Sequence, residues 1–164
     1  MENRFILKGV VIAAIAAILL FSGCLSDGGS TEKITATLVI DFNGPEGTIQ
    51  PGNLTIWDKA NGQWMIVDSK ENNGRTVWVF KNISNVSNVL ELTQKAAQIG
   101  EFTLDIRYYL GMGNFIEAIA GVKNERPGRG WQYWVNGEYA TKACDQWRLN
   151  NGDIVEWRFA EPSW

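Results

Sequence analysis

The chain has 164 residues, eight Trp, two Cys and no His, with 15 basic and 18 acidic side chains for a net charge of −3. Without His, the Ser-His-Asp and Cys-His nucleophile arrangements and any His-ligated zinc site are excluded. The mild acidity supplies no basic footprint for phosphates, so no nucleic-acid partner is expected.

The N-terminus carries a targeting pattern. Arg4 and Lys8 make a basic start, Val10–Phe21 is an unbroken apolar run, and Ser22-Gly23-Cys24 follows. This is the layout of a secretory signal peptide. The apolar run is shorter than the roughly 20 residues that span a bilayer as a helix. Phe21-Ser22-Gly23-Cys24 resembles a bacterial-type lipobox, which implies cleavage before Cys24 and a lipid on its sulfur. The alternative is an uncleaved N-terminal anchor. Both place residues 25–164 outside the cytoplasm, anchored to the outer face of the cell membrane. Residues 1–23 are then a signal peptide, 24–33 a flexible tether of small polar residues, and 34–164 one domain. With Cys24 lipidated, Cys144 has no disulfide partner and reads as a small buried hydrophobe. Sequons at Asn53, Asn82 and Asn85 offer glycan acceptors on a secreted chain.

Ile34–Phe42 alternates, with Ile34, Ala36, Leu38, Ile40 and Phe42 on one face, and predicts a half-buried strand. Asn43–Gly47 breaks it. Thr55–Trp57 and Trp64–Asp68 predict a hairpin turning at Asn61-Gly62. Asn72-Asn73-Gly74 is a second turn, and Thr76–Phe80 a further strand. Within Asn82–Ile99 the period becomes helical, through Val89, Leu92 or Thr93, Ala96 and Ile99. Ser87 or Asn88 caps the start, with Glu91 completing a capping box, and Gly100 is expected to end the helix. Phe102–Leu110 predicts a strand whose apolar face is Phe102, Leu104, Ile106 and Tyr108. After Gly111-Met112-Gly113, a strand is predicted over Phe115–Val122, then a polar loop to Gly130. Trp131–Val135 and Glu138-Tyr139 flank Asn136-Gly137, a second hairpin, and Ile154–Ala160 is the last strand. Strands, one helix, then strands predict an α+β fold, with the helix on one face of a mixed sheet.

Gly111–Val122, Gly130–Gly137, Ala143-Cys144-Asp145-Gln146 and Asn151–Trp157 together resemble the DUF4430 family, the transcobalamin-like C-terminal domain. The resemblance covers about residues 84–160 and, more loosely, the first strand. It implies a β-grasp-type fold among soluble-ligand-binding domains. In the animal vitamin B12 carriers, such a domain closes over cobalamin together with a large helical barrel. A cobalamin-like tetrapyrrole is therefore the ligand that the resemblance implies. The chain has no room for that barrel, and it carries an extra segment, Thr48–Gly74, where simpler members have a tight turn.

The residues make their own case for a binding surface. Trp131, Tyr133 and Val135 point to one side of their strand, and Gln132, Trp134 and Asn136 to the other. One helix cannot cover both faces of a sheet, so some aromatics should be left at the surface. Trp78 and Trp157 are assigned to the core. Trp131, Tyr133, Trp134 and Tyr139 are the surface candidates, with Met112 and Phe115 as an adjacent rim. Such a surface suits a flat or amphipathic ligand, a sugar ring, a corrin or a peptide. Three functions follow as expectations: a tethered, non-catalytic ligand-binding module; a structural or adhesive module docking on an envelope protein or glycan; and an enzyme using Asp145, Asp153 or Glu156. The last is disfavoured, because Asp153 sits in a turn, Glu156 pairs in pattern with Arg158, and no nucleophile-elbow, P-loop or dinucleotide motif is present. No metal site is expected.

Overall fold

In the computed structural model, residues 34–43 and 52–161 are described. The expected signal peptide 1–23, Cys24, the expected tether 24–33, most of the first turn and Trp164 lie outside the described residues.

Alternation builds the first strand, β1 (Thr35–Asp41), which buries Ala36, Leu38 and Ile40, with Phe42 buried just beyond its end. β2 (Asn53–Ala60) and β3 (Gln63–Glu71) form the expected hairpin. Its two-residue turn has Asn61 at φ 53° and Gly62 at φ 79°, the left-handed pair a tight hairpin requires. β4 (Val77–Ser84) runs four residues past the predicted strand end, into the region read as the approach to the helix.

Helix α1 (Val89–Gly100) is amphipathic and buries Val89, Leu92, Thr93 and Ala96. The side chain of Asn88 accepts from Glu91 N at 2.9 Å, while the Glu91 carboxylate accepts from Ser87 N and Oγ at 2.8 Å. These bonds satisfy N-terminal donors that the helix itself cannot. The C-terminal expectation is corrected. The left-handed residue is Glu101, at φ 54°, and not Gly100. Gly100 is small for a different reason: a Cβ there would lie 2.8 Å from the Phe80 ring.

The remaining strands are β5 (Leu104–Tyr109), β6 (Gly113–Ile119), β7 (Val122–Lys123), β8 (Gly130–Val135), β9 (Glu138–Tyr139) and β10 (Ile154–Ala160). Two expectations fail here. A bulge between Asp105 and Ile106 shifts the phase of β5, so Ile106 and Tyr108 face solvent instead of sharing an inward face with Leu104. The strand read as Phe115–Val122 is a hairpin. Ala120 (φ 50°) and Gly121 (φ 84°) reverse the chain between β6 and β7.

The strands form two sheets. Seven are ordered β3-β2-β4-β1-β10-β8-β9, and three are ordered β5-β6-β7. The large sheet is mixed: β1 runs parallel to β10 and antiparallel to β4, and β2 runs parallel to β4. With ten strands and one helix among the described residues, the fold is mostly β rather than evenly α+β. The core gathers Leu38, Ile40, Phe42, Phe80, Val155, Trp157 and Phe159 from the large sheet, Val89, Leu92 and Ala96 from α1, and Ile116 and Ile119 from β6. Trp157 is buried as expected, and its indole N–H donates to Thr93 Oγ1 at 2.9 Å. Trp78 is only half-buried, edge-on to Phe42 at 5.0 Å and to Trp57 at 5.6 Å.

Candidate functional site

The aromatic hairpin β8–β9 obeys the period of a strand. Trp131, Tyr133 and Val135 alternate with Gln132 and Trp134. The inward row is the Trp131 row. Trp131 and Tyr133 keep only 7% and 6% of their surfaces, which corrects their reading as surface residues. The reason is what sits above them: β6, β7 and the 140–149 segment cover this face. Both find partners for their polar ends, as buried Trp and Tyr must. Trp131 Nε1 donates to Val122 O at 2.9 Å, and Tyr133 Oη donates to Lys142 O at 2.7 Å.

Cover is incomplete at one place. A cleft of about 420 Å³ opens where β6, β8 and the 139–146 segment meet. Its inner lining is Trp131, Tyr133, Trp157, Phe115 and Ile116, and its rim includes Met112, Tyr139, Lys142 and Gln146. Five of the six sequence candidates, Met112, Phe115, Trp131, Tyr133 and Tyr139, are thus brought together. Trp134 is not among them. It projects from the opposite face of β8, under the Arg158 guanidinium at 4.4 Å and edge-on to Tyr139 at 5.3 Å. Met112 is 60% exposed and Tyr139 41%, so the mouth is apolar as well as the interior.

The cleft is held open by contacts between residues 30 to 34 apart in sequence. The Asp145 carboxylate accepts from Asn114 N at 3.0 Å and from Asn114 Nδ2 at 2.9 Å. Gln146 Nε2 donates to Met112 O at 3.1 Å, and Cys144 Sγ donates to Asn114 O at 3.1 Å. Gly113 makes this docking possible. A Cβ there would meet Ala143 Cβ and Asp145 Oδ1, each at 2.7 Å. The Gly-Met-Gly and Ala-Cys-Asp-Gln stretches are therefore two halves of one contact. The sequence showed both, but nothing local showed that they touch.

Electrostatics follow from this packing. Burial acts to raise the Asp145 pKa, but the hydrogen bonds from Asn114 outweigh it and hold the carboxyl below its ordinary value. Burial, reinforced by Asp145, pushes the Cys144 thiol up to about 12. Cys144 is therefore a protonated thiol at neutral pH, and a weak nucleophile. Burial also raises the Tyr133 hydroxyl, with Cys144 and Asp145 adding to it.

The other two carboxylates weighed from sequence are occupied by structural partners. Asp153 accepts from Asn136 Nδ2 and from Asn150 N, each at 2.8 Å, closing the turn before β10. Glu156 pairs with Arg158. Among the described residues, no group of three or more Cys, Asp or Glu side chains is placed to hold a metal ion. No described helix is long and apolar enough to cross a membrane. Of the sequon asparagines, Asn82 and Asn85 are exposed and Asn53 is half-buried. Asn82 and Asn85 also sit at φ 54° and 62°, where Asn is favoured for backbone reasons alone.

The family profile of a domain of unknown function, DUF4430, matches residues 84–161. Residues 84–161 are a DUF4430 domain. All the cleft-lining residues fall inside the DUF4430 domain, whereas β1, β2, β3 and nearly all of β4 precede it. No curated protein matches the chain. Among solved structures, a Ruminococcus gnavus protein proposed to bind metal has a TM-score of 0.44 at 12% identity, covering 79% of this chain and 98% of that one. Haptocorrin in complex with Cbi has a TM-score of 0.44 at 18% identity, covering 71% of this chain and 27% of haptocorrin. At these TM-scores neither likeness fixes the function of the DUF4430 domain.

Proposed function

We propose that this protein is a non-catalytic, extracytoplasmic binding module that takes a small amphipathic ligand in the cleft between β6 and the 139–146 segment. The observation that carries the reading is the convergence of Met112, Phe115, Trp131, Tyr133 and Tyr139 on one cleft of about 420 Å³. That volume lies in the range of small-molecule sites, which are mostly apolar with a few polar groups at the edge. The N-terminal signal pattern and Cys24 support membrane tethering through a lipid or an anchor.

A cobalamin-like tetrapyrrole is the ligand class supplied by the family resemblance. The residues fit it only in part. The cleft takes one edge of such a macrocycle and leaves the rest without cover, and the chain has no His to offer a central metal. A smaller ring system fits better. We also read β4, β1, β10, β8 and β9 as a β-grasp core. Support comes from the central parallel pair β1–β10, an antiparallel neighbour on each side of it, and α1 packed against one face.

Titration of intrinsic Trp fluorescence with cobinamide, chitotetraose and a Phe-Leu tetrapeptide tests the reading. Binding of at least one probe, weakened by Met112→Ala, supports it; silence across the three counts against it. A second reading, docking on another envelope component, draws on the outermost strand of the large sheet. There Met65, Ile66 and Val67 are 50%, 55% and 48% exposed in succession. Such an apolar edge invites strand pairing. Crosslinking through β3 on intact cells tests it, and recovery of uncrosslinked chain alone counts against it.

A further inference from the structure

The β2–β3 hairpin precedes the DUF4430 domain, yet it packs beside the helix that the domain supplies. Between them lies a second groove, of about 460 Å³, separate from the cleft described above. It is lined by Lys59 and Trp64 from the hairpin, Ile83 and Ser84 from β4, and Lys95, Gln98 and Ile99. The hairpin register explains the first pair. Lys59 faces Trp64 across β2 and β3, so both side chains leave the same face of the sheet, and the Lys59 ammonium lies 5.3 Å above the indole.

The charge of this groove is one-sided. Its only charged lining groups are Lys59 and Lys95, in a chain whose net charge is −3. Among the described residues, neither lysine has a carboxylate within ion-pair distance. The Lys95 ammonium donates to Ser84 O at 3.0 Å and to Asn85 O, and these carbonyls fix its position without cancelling its charge. Glu91, one turn earlier on α1, interacts with Lys95 at longer range, but its carboxylate is committed to Ser87. The rest of the lining is an indole, one buried and one half-buried isoleucine, Ser84 and the exposed Gln98 amide.

This combination selects a ligand chemistry. An indole and isoleucine side chains receive the apolar face of a ring, the Gln98 amide and the Ser84 side chain receive hydroxyls, and two ammonium groups receive an acid. A neutral sugar would leave both cations without a counter-charge, and a simple inorganic anion would leave the indole unused. We propose that the groove between the β2–β3 hairpin and α1 binds an acidic saccharide, with a hexuronate ring against Trp64 and its carboxylate between Lys59 and Lys95.

The test is isothermal titration of the full chain, in detergent, with trigalacturonate and with its methyl ester, which keeps the rings and removes the charge. The acid is expected to bind at least tenfold more tightly than the ester, and less tightly as salt is raised. Lys59→Gln is the variant of choice, because Lys59 is exposed on β2 and its loss does not endanger folding. It should weaken trigalacturonate several-fold, and Trp64→Ala should weaken both acid and ester. Met112→Ala, at the other cleft, should leave trigalacturonate binding unchanged. Equal affinity for acid and ester overturns the proposal, as does no binding of either, or binding insensitive to Lys59→Gln. Loss of binding in Met112→Ala alone would assign the saccharide to the first cleft and overturn it too.

Discussion

Gly113→Ala isolates the contact on which the cleft depends. At φ 103° the backbone of Gly113 lies where side chains are strained, at a cost of about 1–3 kcal/mol. The new methyl would also sit 2.7 Å from Ala143 Cβ and from Asp145 Oδ1, and 2.9 Å from Gln146 Nε2. Ala143 Cβ cannot swing aside without its backbone, and Asp145 Oδ1 is the atom that accepts from Asn114 N. Overpacking of this kind adds about 1–3 kcal/mol. Gly137→Ala is the matched control, because it has φ 84° in the β8–β9 turn and nothing within 4 Å of the added Cβ. It carries the backbone strain without the collision. The difference between the variants is thus about 2 kcal/mol, which at a urea slope of about 2 kcal/mol/M separates their unfolding midpoints by about 1 M. Coincident midpoints would refute the claim that Gly113 is small in order to dock the 143–146 segment.

Three further outcomes are expected. Trp157→Phe removes the indole donor from Thr93 Oγ1 in the core and should cost about 1–3 kcal/mol in urea unfolding, with Thr93→Val added to it recovering part of the loss; full additivity in that cycle would contradict a shared buried bond. Glu91, held low by hydrogen bonds from Ser87, Glu117, held low chiefly by the Tyr109 hydroxyl, and Asp145, held low by Asn114 against the opposing effect of burial, all have folded pKa values below their unfolded ones. Their contribution is therefore complete above the ordinary carboxylate pKa of about 4 and is lost as pH falls through the depressed folded values; urea midpoints should drop between pH 5 and pH 3 by less in Asp145→Asn than in the parent, and equal drops would contradict the Asp145 assignment. Cys144, with its thiol pushed up to about 12 and buried, should label with a maleimide at pH 8 only when urea unfolds a Cys24→Ser chain; rapid labelling of the folded protein would contradict its burial.

Much of this architecture is written locally. Asn61-Gly62 and Asn136-Gly137 announce their hairpins because the left-handed conformation selects those residues. The capping set Ser87, Asn88 and Glu91 announces α1 for an equally local reason. At Ala120-Gly121 only the glycine signals an end to the strand, since Ala seldom occupies φ 50°, and nothing local shows that the chain reverses there into β7. The bulge at Asp105/Ile106 has no composition signal, so strand alternation points Ile106 and Tyr108 inward where the structure exposes them. For β8 both side-chain rows are aromatic, and period alone cannot say which row is covered. The answer comes from β6, β7 and the 140–149 segment, placed over Trp131 and Tyr133 by tertiary contacts. The cleft itself was half legible: its aromatic residues stood out, but its shape depends on Asn114 meeting Asp145, 31 residues away.

The most direct test of the binding account is the probe titration with cobinamide, chitotetraose and the Phe-Leu tetrapeptide, repeated on two single variants. Met112→Ala trims the exposed rim of the cleft, and Ile154→Ala trims an exposed side chain on β10 outside it. The account predicts that at least one probe quenches Trp fluorescence saturably, that Met112→Ala weakens that probe about tenfold, a loss of about 1.4 kcal/mol, and that Ile154→Ala leaves it unchanged. Equal weakening by both variants, or no saturable change with any of the three, would contradict a ligand site between β6 and the 139–146 segment.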